Sequence, residues 1–185
     1  MKTILSLLVL LGVTGTAMAS PMVLGTSLDP TGIKGLVIDG TTYNVTFGNG
    51  SYNSEFGGSP ATFLNNDSGA WDAAVAIGNA LNANGVTGIN GGQCAQLSVC
   101  GVIVPDYEQP NVVSGTETVW GSGSFEPGEF GTGPTQVVGL NFVPGWDWTY
   151  AVFAPAQSVP EPASLGLLAF GLAALALTRR KRPTA

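Results

Sequence analysis

The amino-acid sequence predicts a mainly β domain of the α+β class, an antiparallel sheet or sandwich of about six to eight strands with one helix packed on it. Three observations lead to this prediction. Apolar and polar residues alternate in several short segments, Gly-, Asn- and Pro-rich turns separate those segments, and only one segment repeats its apolar residues at helical spacing. The 185-residue length favours one domain. Apolar runs at the two ends add a predicted signal-peptide helix and a C-terminal transmembrane helix.

The N-terminal residues 1–19 have the layout of a secretory signal peptide. Lys2 precedes an apolar run over residues 4–13, and small residues follow up to an A-x-A pattern that ends at Ala19. The apolar run is too short to stay in a bilayer as a spanning helix. We therefore expect signal peptidase to cut after Ala19 and residues 20–158 to form the exported domain.

The predicted domain is strongly acidic. Residues 20–158 hold one basic residue, Lys34, and eleven acidic residues, which gives a net charge of −10. Binding of nucleic acid depends on Lys and Arg that neutralise phosphates, so this composition excludes nucleic acid as a partner. A high negative charge favours solubility, and a solvated acidic surface is the simplest interpretation.

Two cysteines, Cys94 and Cys100, are the only ones in the chain. An even number of cysteines in an exported protein predicts a disulfide. The bridge closes a short loop, and the loop-entropy relation gives it roughly 2–2.5 kcal/mol of stabilisation. A metal site is the alternative, but the chain has no His and no third Cys to complete one.

The first strands are predicted around a two-residue turn. Residues 35–47 read as a β-hairpin in which Asp39 and Gly40 form a type I′ turn. In that register Leu36 faces Tyr43 and Ile38 faces Thr41. The alternation of side chains in residues 41–47 predicts that one face of the strand is buried and the other is exposed to solvent. Residues 52–56 read as a further short strand.

One helix is predicted over residues 68–83. Asn66, Asp67 and Ser68 are good N-cap types, and Gly85 is placed to end the helix at C′. The apolar stripe at helical spacing places Trp71 in the core.

The rest of the domain reads as short strands and turns. We expect a loop over residues 88–92, a strand over 99–104 that Pro105 ends, a strand over 116–120 and a loop over 121–134.

A second hairpin is predicted from residues 136–143 and 148–153, joined at 144–147. It places Trp146 and Trp148 at the tip, on either side of Asp147. Exposed aromatic rings there would stack on a sugar, whereas rings folded back onto the sheet would serve packing alone.

The candidate chemistry of the domain is limited. Without His, no nucleophile–base pair can be proposed, and we predict no catalytic residue. Two carboxylate pairs remain as candidates for acid/base work in an extracellular hydrolase: Glu126 with Glu129, and Asp106 with Glu108. Most such pairs are simply surface charge, which is the favoured interpretation of both.

Calcium is the better-motivated ligand, because Asp, Glu, Asn and loop carbonyl oxygens are the groups that it binds. The sequence holds neither an EF-hand loop nor a nonapeptide Gly-Asp repeat. We therefore predict no cofactor other than this possible calcium ion, and name no metal ligand.

The C-terminal residues 159–185 carry the clearest signal. Pro160, Glu161 and Pro162 are followed by an apolar segment over residues 163–178 and then by four basic residues. The basic residues are Arg179, Arg180, Lys181 and Arg182. This layout resembles the PEP-CTERM sorting region of certain Gram-negative bacteria. The resemblance implies recognition and removal of the region by a membrane protease-transferase, exosortase.

The physical properties of this region agree with the resemblance. The two prolines keep the motif extended and open to an enzyme. The apolar stretch over residues 163–177 is roughly 22 Å long as a helix, short for a hydrocarbon core of about 30 Å, which favours a transient stop over a lasting anchor. The basic cluster holds the C-terminus in the cytoplasm. The alternatives are an ordinary single-pass anchor that is never cut and a buried core helix.

These observations predict an exported protein, held at the inner membrane before it reaches the cell surface or the medium. The resemblance links such proteins to exopolysaccharide and biofilm matrix, so a structural or interaction role with extracellular polysaccharide is our leading hypothesis. A calcium-assisted carbohydrate-binding or adhesive module is the second hypothesis, and the hydrolase is the third.

Overall fold

The computed structural model describes residues 20–96, 100–109, 112–120, 129–138 and 148–156. These ranges confirm the mainly β class. The strands are β1 (Met22–Gly25), β2 (Pro30–Ile38), β3 (Thr41–Gly48), β4 (Gly88–Ile89), β5 (Gly92–Gln93), β6 (Gly101–Gln109), β7 (Val112–Trp120), β8 (Phe130–Val138) and β9 (Trp148–Pro155).

Seven of the described strands form one mixed sheet in the order β1-β2-β3-β9-β6-β7-β8. All neighbours in it are antiparallel except β6 and β9, which are parallel. The predicted signal-peptide helix and C-terminal helix lie outside the described residues. Within the described ranges, no helix has the length and apolar character needed to cross a membrane.

The first hairpin is confirmed in its predicted register. Leu36 pairs with Tyr43, and Ile38 pairs with Thr41. Asp39 and Gly40 both have positive φ, 48° and 76°, as a type I′ turn requires. The hairpin is longer than predicted, because β2 begins at Pro30 and passes an irregularity between Ile33 and Leu36.

The predicted strand over residues 52–56 is wrong, because this segment is a short helix, α1 (Tyr52–Phe56). Ser51 caps it by accepting a hydrogen bond from the Ser54 N–H, and Gly57 ends it in the left-handed conformation. Tyr52 and Phe56 alternate with polar residues as in a strand, but four-residue spacing also places them on one face of a helix. The local caps decide between the two periodicities.

The long helix α2 (Asp67–Ala83) confirms the predicted helix and starts one residue earlier. The Asn66 side chain accepts a hydrogen bond from the Gly69 N–H at 3.1 Å, and Gly85 follows the helix with φ of 64°. Both ends are therefore capped as the sequence indicated.

The predicted core position of Trp71 is wrong, since its side chain is 44% exposed. Small residues instead form the face of α2 that contacts the sheet, with Ala70, Ala73 and Ala74 fully buried. Ile77 and Leu81 complete this face. A helix that contacts a sheet through alanines leaves no room for an indole ring between them. Trp71 therefore lies on the side of α2 that faces away from the sheet.

Residues 88–93 also depart from the sequence prediction, which was a loop over 88–92. β4 and β5 form a small hairpin around Asn90 and Gly91, which both have positive φ. Cys94 follows directly and forms the predicted disulfide with Cys100, with 5.3 Å between the Cα atoms. Both cysteines are buried in the core under α2.

Two prolines, Pro105 and Pro134, lie within strands although the sequence analysis placed neither of them in one. β6 continues past Pro105 to Gln109, with a register shift between Pro105 and Tyr107 that accommodates the ring. Pro134 lies in β8, where a loop over 121–134 was predicted, and pairs with Thr116. β8 is an edge strand, where a missing N–H donor is tolerated.

The predicted second hairpin is wrong, because β8 and β9 are not neighbours. β9 instead lies between β3 and β6, antiparallel to the first and parallel to the second. The last strand of the domain therefore joins its two halves.

The sheet has a different cover on each face. α2 packs on one face over a core that includes Ile33, Val45 and Val102. On the other face, here called the outer face, α1 together with Ala61 and Leu64 covers Ile103, Val113 and Tyr150.

Candidate functional site

Three aromatic rings meet on the outer face, and we call Tyr52, Phe56 and Tyr150 the phenol cluster. α1 presents Tyr52 and Phe56 from one side of the helix, with 4.7 Å between their ring centroids. The Tyr150 ring stands edge-on to both, at centroid distances of 6.3 Å and 6.1 Å. The short helix thus docks onto β9 through aromatic packing.

Tyr52 connects the phenol cluster to β6. Its hydroxyl donates a hydrogen bond to Glu108 Oε2 at 3.2 Å. Burial raises the pKa of Tyr52 above 10.0, and the nearby negative charge of Glu108 raises it further. The phenol therefore remains a hydrogen-bond donor at neutral pH and cannot act as a base.

Tyr150 is the more enclosed phenol, with a fully buried side chain. Its hydroxyl has no hydrogen-bond partner among the residues that the structure describes. Burial raises the pKa of Tyr150 to about 12, and Tyr52 and Glu55 add smaller contributions in the same direction. An unpaired buried hydroxyl is unfavourable, so Tyr150 contributes through its ring.

Asp106 lies on β6 at the start of α2. The Thr116 hydroxyl donates a hydrogen bond to Asp106 Oδ2 at 3.2 Å. Burial raises the pKa of this carboxyl above 3.8 and the negative charge of Asp67 raises it further, while the bond from Thr116 lowers it. The backbone carbonyl of Asp106 also accepts a hydrogen bond from the Asn65 N–H. Asp106 therefore connects β6 both to β7 and to the segment that precedes α2.

The predicted acid pair Asp106 and Glu108 is placed on one strand, but each carboxylate has its own partner. Asp106 contacts β7 through Thr116, and Glu108 contacts α1 through Tyr52. In the other predicted pair, Glu129 is exposed and Glu126 lies outside the described residues. The hydrolase hypothesis stays a prediction that these contacts do not support.

No group of three or more Cys, Asp and Glu side chains that could hold a metal ion occurs within the described ranges. Calcium binding stays a prediction without a named site.

The predicted aromatic tip is not formed as expected. Trp148 is the first residue of β9, and its backbone pairs with Gly101 inside the sheet. Trp146 and Asp147 lie outside the described residues. Among the described residues, β8 and β9 do not pair, so the hairpin on which the predicted tip depends is not formed by these two strands.

The phenol cluster was missed by the sequence analysis. Its local part was detectable, since Ser51, Tyr52 and Phe56 together have the cap and four-residue spacing of a helical turn. Its contact with Tyr150, 98 residues later in the chain, depends on strand pairing and carries no sequence signal.

The end of β9 determines how the domain connects to the C-terminal region. β9 ends at Pro155, and the Ala156 N–H donates to the Thr42 carbonyl at 2.9 Å. A protein-family match begins two residues later and covers residues 158–182. Residues 158–182 are a PEP-CTERM protein-sorting motif.

The PEP-CTERM motif contains all the residues that the sequence predicted for C-terminal processing and topology. The match includes Pro160, Glu161 and Pro162 and extends through the basic cluster to Arg182. Such a motif implies processing by exosortase. No curated protein and no solved structure matches the chain.

Proposed function

We propose that this protein is exported, held in the inner membrane by its PEP-CTERM motif, and cut there by exosortase. The domain of residues 20–158 then reaches the cell surface, where it has a structural or interaction role in the exopolysaccharide matrix. The motif at residues 158–182 is the observation that carries this proposal.

The position of the motif relative to the fold supports processing. β9 ends at Pro155, three residues before the match begins and five before Pro160. A cut at Pro160–Pro162 therefore leaves intact every strand that the structure describes. The released product would be a folded domain rather than a fragment.

The chemistry of the described residues supports a non-enzymatic role. The chain has no His, the buried phenols keep their protons at neutral pH, and Asp106 and Glu108 each have a structural partner. A net charge of −10 over residues 20–158 favours a soluble domain in a hydrated polysaccharide matrix.

The processing step is tested by changing the motif alone. We expect the triple variant Pro160→Ala, Glu161→Gln, Pro162→Ala to stay in the inner-membrane fraction with its basic tail. The matched control is Pro183→Ala, which lies just beyond the matched residues and should be released as the wild type is. Release of the triple variant at the wild-type rate would contradict the proposal.

The matrix role needs a separate test, because a sorting motif confers no activity. A deletion strain should form less matrix or aggregate less, and expression of the wild-type chain should restore both. Purified domain should also be retained on polysaccharide from the same strain. Unchanged matrix together with no retention would rule out the role while leaving processing intact.

A further inference from the structure

The C-terminal end of the folded domain lies at the end of the sheet that carries the Asp39–Gly40 turn. β9 finishes beside the start of β3, since Pro155 pairs with Tyr43. The turn at Asp39 and Gly40 joins β2 to β3 at this same end. The chain therefore leaves the domain beside the turn, whereas β1 begins beside Lys34 in the middle of β2.

The turn and the exit point are also close together across the sheet. β3, which begins at the turn, and β9 are neighbours in the strand order, at a spacing of about 4.8 Å. We call this part of the molecule, formed by Asp39, Gly40 and Ala156, the tether end.

The exit of the chain at the tether end is fixed by the sheet. β9 is paired on both sides, with β3 along its length and with β6 at its start. The hydrogen bond from Ala156 to Thr42 extends this pairing one residue past the strand. Moving the exit point would require the centre of the sheet to open.

The connection to the apolar segment is short. Residues 157–162 separate Ala156 from Ala163. At about 3.3–3.6 Å per residue, this tether spans at most about 25 Å from Ala156 to Ala163. β3 has eight residues and is about 27 Å long. Because Ala156 lies beside Thr42, Asn49 at the far end of the sheet is about 24 Å away along β3, so the far end reaches the bilayer only when the tether is almost fully extended.

We propose that, in the protein that still carries its PEP-CTERM motif, the tether end faces the membrane. The Asp39–Gly40 turn then lies against the lipid headgroups. This inference rests on the membrane-held stage of the proposed function. It adds the orientation of the domain at that stage and identifies the bilayer surface as the neighbour of the turn. The far end, around Asn49, then points away from the membrane, toward surrounding polymer.

The test uses full-length protein reconstituted in vesicles of about three parts phosphatidylethanolamine to one part phosphatidylglycerol, an anionic mixture. The photo-crosslinking residue benzoylphenylalanine is placed at Thr41 beside the turn or, as the matched control, at Asn49 at the far end. Both positions are exposed. We expect lipid adducts at position 41 to exceed those at position 49 several-fold.

A longer tether provides a second check. Inserting about ten Gly/Ser residues between Ala156 and Gln157 lengthens the reach by up to about 33 Å, which should remove most of the difference between the positions. Equal adducts at both positions without the insertion, more adducts at 49, or none at either would overturn the proposed orientation.

Failure of the proposed function gives a different result in the same experiment. The vesicles contain no processing enzyme, so a protein that is never cut still reports its orientation. Flotation of the vesicles shows whether the C-terminal segment holds the protein in the bilayer. Protein that does not float would overturn the membrane-held stage and the orientation together.

Discussion

Two buried tyrosines show how similar side chains serve the fold in different ways. Tyr52 donates a hydrogen bond to Glu108, whereas the Tyr150 hydroxyl is buried without a partner among the described residues. Their rings pack against each other, so removing one oxygen from either keeps the packing. The two Phe substitutions therefore separate the hydrogen bond from the ring.

We expect Tyr52→Phe to lower the free energy of unfolding by about 1 kcal/mol, the usual net value of one hydrogen bond. Tyr150→Phe should leave it unchanged or raise it, because that variant loses only an unpaired buried hydroxyl. Urea unfolding of the exported protein measures both. A loss at Tyr150 as large as that at Tyr52 would show that the Tyr150 hydroxyl has a partner.

The raised pKa of Tyr150 predicts a loss of stability in alkali. The pKa is 10.0 in the unfolded reference and about 12 in the folded state, so between these values the folded protein holds more protons. The free energy of unfolding should therefore be steady below about pH 10 and fall as the pH rises toward 12. Tyr150→Phe should flatten this fall in pH-dependent urea unfolding. An identical slope in that variant would contradict the account.

Gly78 marks the closest approach of α2 to the sheet. A Cβ at this position would lie 2.6 Å from the hydroxyl of Thr118, a fully buried residue on β7. Alanine favours a helix over glycine by about 1 kcal/mol, but the clash opposes that gain. Because Thr118 is β-branched and buried, it has little room to move.

We therefore expect Gly78→Ala to lower the free energy of unfolding by about 1–2 kcal/mol despite its better helix propensity. Asn79→Ala, on the exposed side of the same helix, is the control and should be neutral or slightly stabilising. Thr118→Ala should reduce the loss in a double-mutant cycle. A stabilising Gly78→Ala would show that the packing is looser than described.

At the scale of elements, the sequence analysis predicted correctly the features that neighbouring residues determine, namely one turn and the two ends of the long helix. The Asp39–Gly40 turn fixed the hairpin register, and Asn66 and Gly85 fixed the ends of α2. The strand predicted over residues 52–56 failed because its period-two pattern also fits one helical turn, and Ser51 caps that turn. Where two local patterns compete, the cap is the better guide.

Contacts distant in sequence explain the remaining errors. Pro105 stays within a strand because a register shift accommodates it, and Pro134 stays within one because β8 is an edge. Trp71 is exposed because alanines fill the contact between helix and sheet. None of these outcomes can be read from a short window, since each depends on which element lies alongside.

At the scale of the whole molecule, the main difference from the sequence prediction is the position of β9. The sequence pattern favoured a hairpin with the preceding strand, but β9 pairs with β3 and β6 and joins the two halves of the sheet. The sorting motif, in contrast, was predicted in full, because it is a linear pattern that does not depend on tertiary contacts.

The central position of β9 predicts that the domain cannot fold without it. A chain of residues 20–158 should unfold cooperatively in urea, whereas a chain of residues 20–147 should show no cooperative transition. The control is deletion of residues 20–25, which removes only the edge strand β1 and should weaken but keep the transition. Cooperative unfolding of the 20–147 chain would mean that β9 is dispensable.

The intact mass of the protein recovered from the cell surface or medium tests the central claim most directly. If the PEP-CTERM motif is processed after the fold is complete, the mass should correspond to a chain that starts at Ser20 and ends near Pro160–Pro162, with the Cys94–Cys100 disulfide present. Recovery of mature surface protein that retains Arg179–Arg182, or that ends upstream of Pro155, would contradict it.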